Sequence, residues 1–351
     1  MRLLPLLLLA TLRAAGGDGQ TAPAPSDALQ TARVETMVAS AHKFLLKHQN
    51  RDGSFSVVRN DASKAAPVAV TALAAMSLMA AGHLPDRGPN AQAVERAIDW
   101  LVQHSNQEGY VTTDGDLVSR MHGQGYAVLA MTQAYGMQAG DVAHREELRG
   151  AIERGVELIE SSQGQTIHGW WYDPHASRDH EGSVTVCMIQ ALRAARDIGF
   201  KVHKKVIDDA LDYMKASQDP VSGRFRYRIN EPKMSWSLTA AALSTLNSAG
   251  DYSSDMLQQG FDALQRWDPY IGQPEDENWI EYGAFYAAQA YWQHGDGRAF
   301  ARWWPRFVQA CEDEQGGEGS WNGGEFGTVY GTAIVSLSLQ VPLGYLPIFQ
   351  R

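Results

Sequence analysis

A repeated unit dominates this chain, and its loop glycines are 54 to 60 residues apart in the first four copies. Each unit has a helix-period segment, a loop with a glycine and an aromatic residue, and a second helix rich in small residues. The loop glycines are Gly53, Gly109, Gly169, Gly223, a weaker copy near Gly272, and Gly319. Recurrence at this period predicts six helical hairpins.

The two helices of each unit differ in their side chains. The first helices, such as 34–48, 91–104, 148–161 and 204–217, have charges on one face and an apolar stripe on the other. The second helices are rich in Ala, Ser, Thr and Leu on nearly every side: 68–81, 125–135, 183–198, 236–248, 283–292 and 328–340. Helices that are apolar all round are buried, so we expect an inner ring of second helices inside an outer ring of first helices.

The ends of the repeated region indicate that the ring closes. An open stack needs polar terminal repeats, but the sixth copy is as apolar as the first and the apolar segment 345–349 follows it. An open array of the tetratricopeptide kind is the alternative, and the long period and the Gly-aromatic loops disfavour it. We therefore predict an all-α fold, a closed α6/α6 toroid in which residues 34–347 form a single domain.

The first residues predict export. Met1 and Arg2 precede an apolar run at 3–12, and Ala14, Ala15 and Gly16 supply small residues for cleavage. This pattern is typical of a secretory signal peptide, here residues 1–16, followed by a disordered leader at 17–33. The apolar run is too short to span a bilayer, and we expect no membrane span later in the chain. The predicted location is secreted or periplasmic.

Charge and cysteine content exclude several classes of function. The formal net charge is -10, and no cluster of Lys and Arg offers the basic face that nucleic acids require. Cys187 and Cys311 are the only cysteines and lie in apolar helical patterns, so we expect buried free thiols, with one long-range disulfide as the alternative. The Gly-rich runs at 316–317 and 323–324 lack a phosphate-binding lysine and indicate turns, so we predict no cofactor.

A short motif recurs in the loops. Segments 49–55, 165–171 and 315–321 read Gln, three residues, Gly, one residue, aromatic, and 218–225 is the same with one insertion. This motif resembles the repeat of squalene and oxidosqualene cyclases and the related protein prenyltransferases. The resemblance implies that the Gln side chain ties backbone groups at a helix end while the aromatic ring stacks beside it. It also implies the toroid fold and an apolar or isoprenoid-like ligand in a central cavity.

The chemical residues of those enzymes are not matched. The resemblance implies a protonating Asp-x-Asp-Asp motif in class II cyclases, but the nearest segment here is Asp114-Gly115-Asp116-Leu117. It implies an Asp-x-Cys zinc pair in protein prenyltransferases, but Thr185 and Gln309 stand where the aspartate would be. We therefore predict no metal site, and catalysis stays open.

In a closed toroid the loops before the inner helices meet at one mouth, where ligand sites concentrate. A His near carboxylates can act as a general acid or base near neutral pH. The catalytic candidates are His122, His180 and Glu281, and the ligand-binding candidates are Trp170, Tyr172, Asp179, Glu181, Trp236, Tyr282 and Tyr330. We assign Trp171 to the repeat motif, which leaves Trp170 free to line a cavity.

Some of these candidates also suit a purely structural role. Asp179 and Glu181 fit the positive N-terminus of an inner helix, which would leave His180 as polar surface. A metal site of His122 and His180 with Asp173 and His175 is disfavoured because the Asp173-Pro174-His175 spacing has no helical register.

Three functions remain open at this stage. The first is the binding of an apolar small molecule or lipid. The second is a carbohydrate-active enzyme, a glycosidase or a polysaccharide lyase, and a glycosidase would need two carboxyl groups drawn from Asp179, Glu181, Glu281 and Glu325. The third is a non-catalytic scaffold whose protein partner the sequence does not identify. The fold does not choose among them, because function depends on the site.

Overall fold

The structure is a computed structural model that describes residues 25–55, 64–116, 118–138, 142–248, 254–273, 279–295 and 297–350. These residues form twelve α-helices joined by loops and 3-10 turns. The helices are α1 Pro25–His48, α2 Pro67–Ala80, α3 Ala91–Gln103, α4 Arg120–Met137, α5 Val142–Ser161, α6 Gly182–Asp197, α7 Lys204–Ser217, α8 Trp236–Ser248, α9 Asp255–Arg266, α10 Ile280–Gln293, α11 Arg298–Glu314 and α12 Gly327–Ser338.

The even-numbered helices form a closed inner ring. Each packs against the next from α2 to α12, and α12 packs against α2. The odd-numbered helices lie outside, each packed mainly against the inner helix that precedes it in the ring, with α1 against α12. Small side chains permit this packing, and in α2 every residue from 68 to 80 is buried. The predicted all-α toroid of six hairpins is confirmed.

The loop glycines join neighbouring hairpins. A Cβ added at Gly53, Gly109 or Gly223 would lie 2.2 to 2.4 Å from a backbone carbonyl oxygen of the next outer helix. A Cβ added at Gly319 would lie 2.6 Å from the carbonyl oxygen of Ser40 in α1, so the last hairpin packs closely against the first. Each of these four glycines has a positive φ, which L side chains adopt at a cost.

The motif glutamines reinforce these junctions. Gln315 donates through Nε2 to Gly319 O in its own loop and to Met37 O in α1, both at 3.0 Å. Gln49 and Gln218 each bridge their own loop and the next outer helix by the same pair of bonds. The aromatic residue of the motif is buried, and its backbone N–H donates to a threonine of the inner helix, as Trp321 does to Thr332. The role that the resemblance implies for the Gln side chain is thus observed.

The register of the motif in the third hairpin was predicted wrongly. Gln163, and not Gln165, bridges the loop and the next outer helix, with bonds to His168 O and Val206 O. His168 takes the left-handed conformation that glycine has elsewhere, with φ of 61°. Trp170 is then the buried aromatic, donating through its backbone N to Thr185, and Trp171 is left at the mouth. The assignments of Trp170 and Trp171 are therefore exchanged.

Two neighbouring glutamines allow a test of this register. We expect Gln163→Ala to lower the free energy of unfolding by about 2 kcal/mol, because it removes two hydrogen bonds and leaves carbonyl groups unpaired. The matched control is Gln165→Ala, which changes an exposed side chain in the same loop and should leave stability within about 0.5 kcal/mol. Urea unfolding of both variants measures the difference, and equal losses would contradict the assigned register.

Two hairpins use other side chains for the same purpose. In the second, Gln124 of the inner helix α4 accepts from Val111 N and donates to Gly109 O. In the fifth, the buried carboxylate of Asp268 accepts from the backbone of Tyr270 and Ile271 and from the hydroxyl of Tyr291. These two loops lack the motif glutamine, and a different polar side chain makes the hydrogen bonds to the loop backbone.

The ends of the chain differ from the prediction. Helix α1 begins at Pro25, so residues 25–33, which we predicted to belong to a disordered leader, are helical. The predicted signal peptide and residues 17–24 lie outside the described residues. Cys187 and Cys311 are buried and free. One described segment, residues 324–343, is long and apolar enough to span a membrane, and most of it is buried within the protein as α12 and its flanks.

The interior of the barrel is filled. Tyr126 and Tyr286 belong to α4 and α10, which lie opposite each other in the ring, yet their hydroxyl oxygens are 3.4 Å apart. The Cys187 thiol lies 3.5 Å from the Tyr286 hydroxyl, and all three side chains are buried. We call this layer the floor. At the opposite end, the C-terminal segment covers the barrel. Ile348 N donates to Gln133 Oε1, and Phe349 O accepts from Trp292 Nε1.

Candidate functional site

The open end of the barrel lies at the N-termini of the inner helices. His122, Ser183 and Tyr282 stand in the first turns of α4, α6 and α10, each four residues before a member of the floor. Four residues are about one helical turn, so these side chains form a layer directly above the floor. The floor fills the place of the expected central cavity, and we call the partly buried layer above it, at the mouth, the cup.

The cup contains a chain of polar groups built on the start of α6. Glu181 is the N-cap of this helix, and its fully buried carboxylate accepts from the backbone N of Ser183 and Val184 at 3.0 and 2.7 Å. Ser183 Oγ lies within 2.9 Å of both carboxylate oxygens. His122 Nε2 lies 2.9 Å from Ser183 Oγ and 3.6 Å from Glu181 Oε1.

These contacts fix the protonation of His122. A carboxylate only accepts hydrogen bonds, so the single hydroxyl proton of Ser183 goes to Glu181. Ser183 Oγ then accepts from His122, which therefore bears its proton on Nε2 and its lone pair on Nδ1. Burial lowers the pKa of His122, against the opposing effect of the Glu181 charge. The imidazole is neutral near pH 7, with Nδ1 as its basic atom.

One wall of the cup is aromatic and carries a positive charge. The Tyr172 ring lies 5.7 Å from the His122 ring, and its hydroxyl is hydrogen-bonded to that of Tyr227. The guanidinium carbon of Arg228 lies 4.4 Å from the centre of the Trp171 ring, which packs edge-on against Tyr172. Burial raises the pKa of both tyrosines, so their hydroxyls stay protonated and can donate hydrogen bonds.

The opposite wall is more apolar. Tyr282 packs on Tyr286 of the floor, and among the described residues its buried hydroxyl has no hydrogen-bond partner. Tyr330 stands near it, and the rings of Tyr330, Phe326 and Trp279 follow one another outward at 5.3 and 5.9 Å. Trp279 is 42% exposed at the rim. Rings thus extend from the floor to the solvent on this side.

Three predicted site residues lie away from the cup. His180 points outward, with Nδ1 3.1 Å from the Tyr213 hydroxyl of the outer helix α7, so it does not join His122. Trp236 is buried against α10, where a Cβ at Gly283 would lie 2.4 Å from its ring, so it faces a helix and not the cup. Trp170 is the buried aromatic of the third loop.

The acidic candidates are dispersed. Asp179 is exposed, and Glu325 forms an ion pair with Lys64 at 2.7 Å. Glu281 is partly buried at the rim, and burial raises its pKa. Asp173 pairs with Arg120 at 3.6 Å. Within the described ranges no three His, Cys, Asp or Glu side chains gather as they would around a metal ion.

Sequence reasoning missed Ser183, Tyr227 and Arg228. Ser183 was available as the residue that follows the acidic N-cap and its glycine at the start of an inner helix. Tyr227 and Arg228 belong to the segment Arg224-Phe225-Arg226-Tyr227-Arg228, whose alternation of cations with aromatic residues is a signal for binding at a loop. Phe225 is the buried aromatic residue of the repeat motif, whereas Tyr227 and Arg228 lie beyond the motif.

No protein-family model and no curated protein sequence matches the chain. Solved structures do match it. Cellobiose 2-epimerase from Bacillus thermoamylovorans superposes with a TM-score of 0.63 at 14% identity, over 88% of this chain and 99% of the epimerase. Type II terpene cyclase MstE from Scytonema, in complex with geranylgeranyl dihydroxybenzoate, gives 0.59 at 15% identity, over 92% and 99%. A glycosidase in complex with glucose gives 0.62 at 14% identity, over 92% and 100%.

At these identities the comparisons establish the architecture and leave the reaction open. They include enzymes of both chemistries that we weighed from the sequence, terpene cyclisation and carbohydrate conversion. The chain therefore has the α/α-toroid fold that these terpene cyclase, epimerase and glycosidase structures share.

Proposed function

We propose that the protein is a carbohydrate-active enzyme that binds a sugar in the cup and transfers a proton through His122. The observation that carries this proposal is the neutral His122 imidazole, 23% exposed, whose Nε2 is committed to Ser183 while Nδ1 is the basic atom. A base with a fixed tautomer in a partly enclosed site is suited to proton transfer. The fold shared with cellobiose 2-epimerase and a glucose-bound glycosidase supports the same class.

The lining of the cup suits a sugar better than a long apolar chain. Sugars present apolar ring faces and hydroxyl edges, which aromatic rings and phenol or imidazole groups can match. The rings of Trp171 and Tyr172 and the hydroxyls of Tyr172 and Tyr227 offer both kinds of contact. The floor of Tyr126 and Tyr286 leaves about one helical turn of depth, which restricts the room for an isoprenoid.

Among carbohydrate reactions, we favour proton transfer over hydrolysis by two carboxylates. A glycosidase needs one carboxylate free to act as a nucleophile or base and a second that is protonated. Glu181 is the carboxylate nearest His122, but its oxygens already accept from Ser183 and Val184. Its role is to hold Ser183, and through Ser183 the tautomer of His122.

The proposal predicts that removal of the base lowers turnover strongly and changes ligand binding little. We expect His122→Gln to reduce turnover of oligosaccharides at least 100-fold and to change binding by less than about threefold, because the glutamine amide can still donate to Ser183 but has no basic nitrogen. Binding is measured by calorimetry and turnover by NMR across a panel of neutral and acidic oligosaccharides. His175→Gln, an exposed change at the same mouth, should leave both unchanged.

The pH dependence provides a second readout of the same experiment. A group with a lowered pKa stays basic to lower pH, so turnover should persist below pH 6.5, the ordinary pKa of His, and fall as the pH decreases further. Turnover that survives His122→Gln would refute the assigned base. The absence of any carbohydrate binding would refute the proposal as a whole.

The binding of an apolar ligand is the second candidate. The row of Trp279, Phe326 and Tyr330 rings favours it, because it extends an apolar surface from the solvent into the cup. The fold shared with a terpene cyclase that binds geranylgeranyl dihydroxybenzoate is consistent with it. Native mass spectrometry of protein from its producing cells discriminates the two: a co-purified lipid supports this candidate, and a co-purified sugar supports the first.

We also propose that the protein is exported, on the basis of the signal-peptide pattern of residues 1–16. A polysaccharide outside the cell would be an accessible substrate for such an enzyme. N-terminal sequencing of the protein recovered outside the cytoplasm tests export, since a mature chain that still begins at Met1 would contradict it.

A further inference from the structure

The polypeptide between α7 and α8 places a cation on the wall of the cup. Tyr227 N donates to Lys233 O at 2.7 Å, and Arg226 pairs with Met234 in a β-bridge, so the segment folds back on itself. Gly182 N, at the start of α6, donates to Tyr227 O at 2.9 Å. This bond fixes the segment beside the helix end that holds Glu181 and Ser183, so Arg228 faces the rings of the cup.

The Arg228 side chain is held on one side and accessible on the other. Its guanidinium lies over Trp171, and its Nε is buried without a hydrogen-bond partner among the described residues. Its Nη1 lies 3.4 Å from Glu231, and the two side chains are 29% and 43% exposed. An exposed pair of this length contributes little, so an anionic ligand can compete with Glu231 for the two Nη atoms.

Two other cations near the mouth have closer partners than Arg228 has. Lys64 pairs with Glu325 at 2.7 Å, and Arg226 forms a short ion pair with Asp219. The segment 219–234 contains three arginines and one lysine against one aspartate and one glutamate, an excess of two positive charges in a protein of net charge -10. This segment is therefore positively charged in a protein that is negatively charged overall.

We propose that Arg228 is the anion-binding subsite of the cup and that the ligand is an acidic sugar whose carboxylate it binds. This inference rests on the proposed function and names its substrate class. A guanidinium stacked on an aromatic ring is oriented in its plane and presents two N–H groups to a carboxylate, which a lysine ammonium does not do. The sugar ring would lie on Trp171 and Tyr172, with its carboxylate at Arg228 and its hydroxyls toward Tyr227 and His122.

A pair of ligands that differ only in charge tests this assignment. Calorimetry compares tetragalacturonate with its fully methyl-esterified form, which keeps the rings and removes the negative charges. We expect the wild-type protein to bind the acid at least tenfold more tightly at 20 mM salt. The preference should weaken as salt increases, because an exposed ion pair is screened.

The variants identify the residue responsible. Arg228→Gln should reduce the preference to less than twofold without abolishing binding of the ester, and Arg228→Lys should restore part of it. Arg178→Gln changes an exposed arginine at the same mouth and should leave the preference intact. Thermal unfolding of each variant confirms that the fold survives loss of the Trp171 contact.

Each remaining outcome decides between the two proposals. Equal binding of acid and ester by the wild-type protein, or a preference that survives Arg228→Gln, would overturn the anion subsite and leave the carbohydrate proposal standing. Binding of a sulfated oligosaccharide in place of tetragalacturonate would overturn the choice of carboxylate. Binding of none of these ligands or of neutral oligosaccharides would overturn both proposals.

Discussion

Gly319→Ala is expected to lower the free energy of unfolding by about 4 kcal/mol, which is a large effect for the addition of one methyl group. Two costs combine at this position. Gly319 has a φ of 86°, where an L side chain is strained, and its Cβ would lie 2.6 Å from the carbonyl carbon and oxygen of Ser40. The contact is with backbone, so it can be relieved only by moving α1 away from the loop. That movement would also lengthen the bond from Gln315 to Met37.

A second glycine separates the two costs. Gly82 has nearly the same φ, 84°, but a Cβ there would meet nothing within 4 Å. Gly82→Ala should therefore cost about 1 kcal/mol, the conformational strain alone. Denaturant unfolding of both variants gives the comparison. If the two substitutions cost the same, the close approach at Gly319 does not hold the first and last hairpins together.

Acidification is expected to destabilise the protein by about 3 kcal/mol through His42 alone. His42 is buried in α1 and lies 3.1 Å from Ser77 Oγ, which in turn contacts Ser336 of α12 at 2.7 Å. Burial, followed by the nearby His83, lowers the pKa of His42 from 6.5 to about 4. In the unfolded chain His42 binds a proton below pH 6.5, but in the folded protein only near pH 4. The unfolded state thus holds more protons between these values, and stability is lost as the pH falls through that window.

The contribution of His42 is measured as a difference. Urea unfolding at pH 7 and at pH 4 gives the loss for the wild-type protein, and His42→Gln should reduce that loss by about 3 kcal/mol. His144→Gln, an exposed histidine on an outer helix, serves as the control and should not change it. An identical loss in the wild-type protein and His42→Gln would show that the buried histidine does not govern acid stability.

The architecture was predictable because most repeats need a glycine at the same place in the loop, where the backbone has a positive φ and lies close to a neighbouring helix. Gly53, Gly109, Gly223 and Gly319 all occupy positive φ against a neighbouring helix, and no other residue fits there without strain. The motif of the third loop was predicted in the wrong register because His168, and not a glycine, takes the left-handed conformation two residues before Trp170. The glycine that marks the motif elsewhere is therefore shifted by one position, and the sequence pattern pointed to Gln165 and Trp171.

The site was less predictable because the direction of a side chain depends on the whole ring. His122 and Tyr172 were identified from their loops and lie together in the cup. His180 is next to the N-cap Glu181, yet it points toward α7, because successive residues of an extended segment point to opposite sides. The tyrosines of the floor belong to inner helices whose sequences are apolar all round. Their pattern shows that they are buried, but it does not show that they meet on the axis.

The floor of the barrel also limits the order of events at the mouth. With Tyr126 and Tyr286 in contact across the axis and the C-terminal segment over the far end, the described interior offers no passage from one end of the ring to the other. Whatever enters the cup must leave by the same opening. Release of one molecule must therefore precede entry of the next, and a polymer cannot be threaded through the ring for repeated rounds in a single encounter.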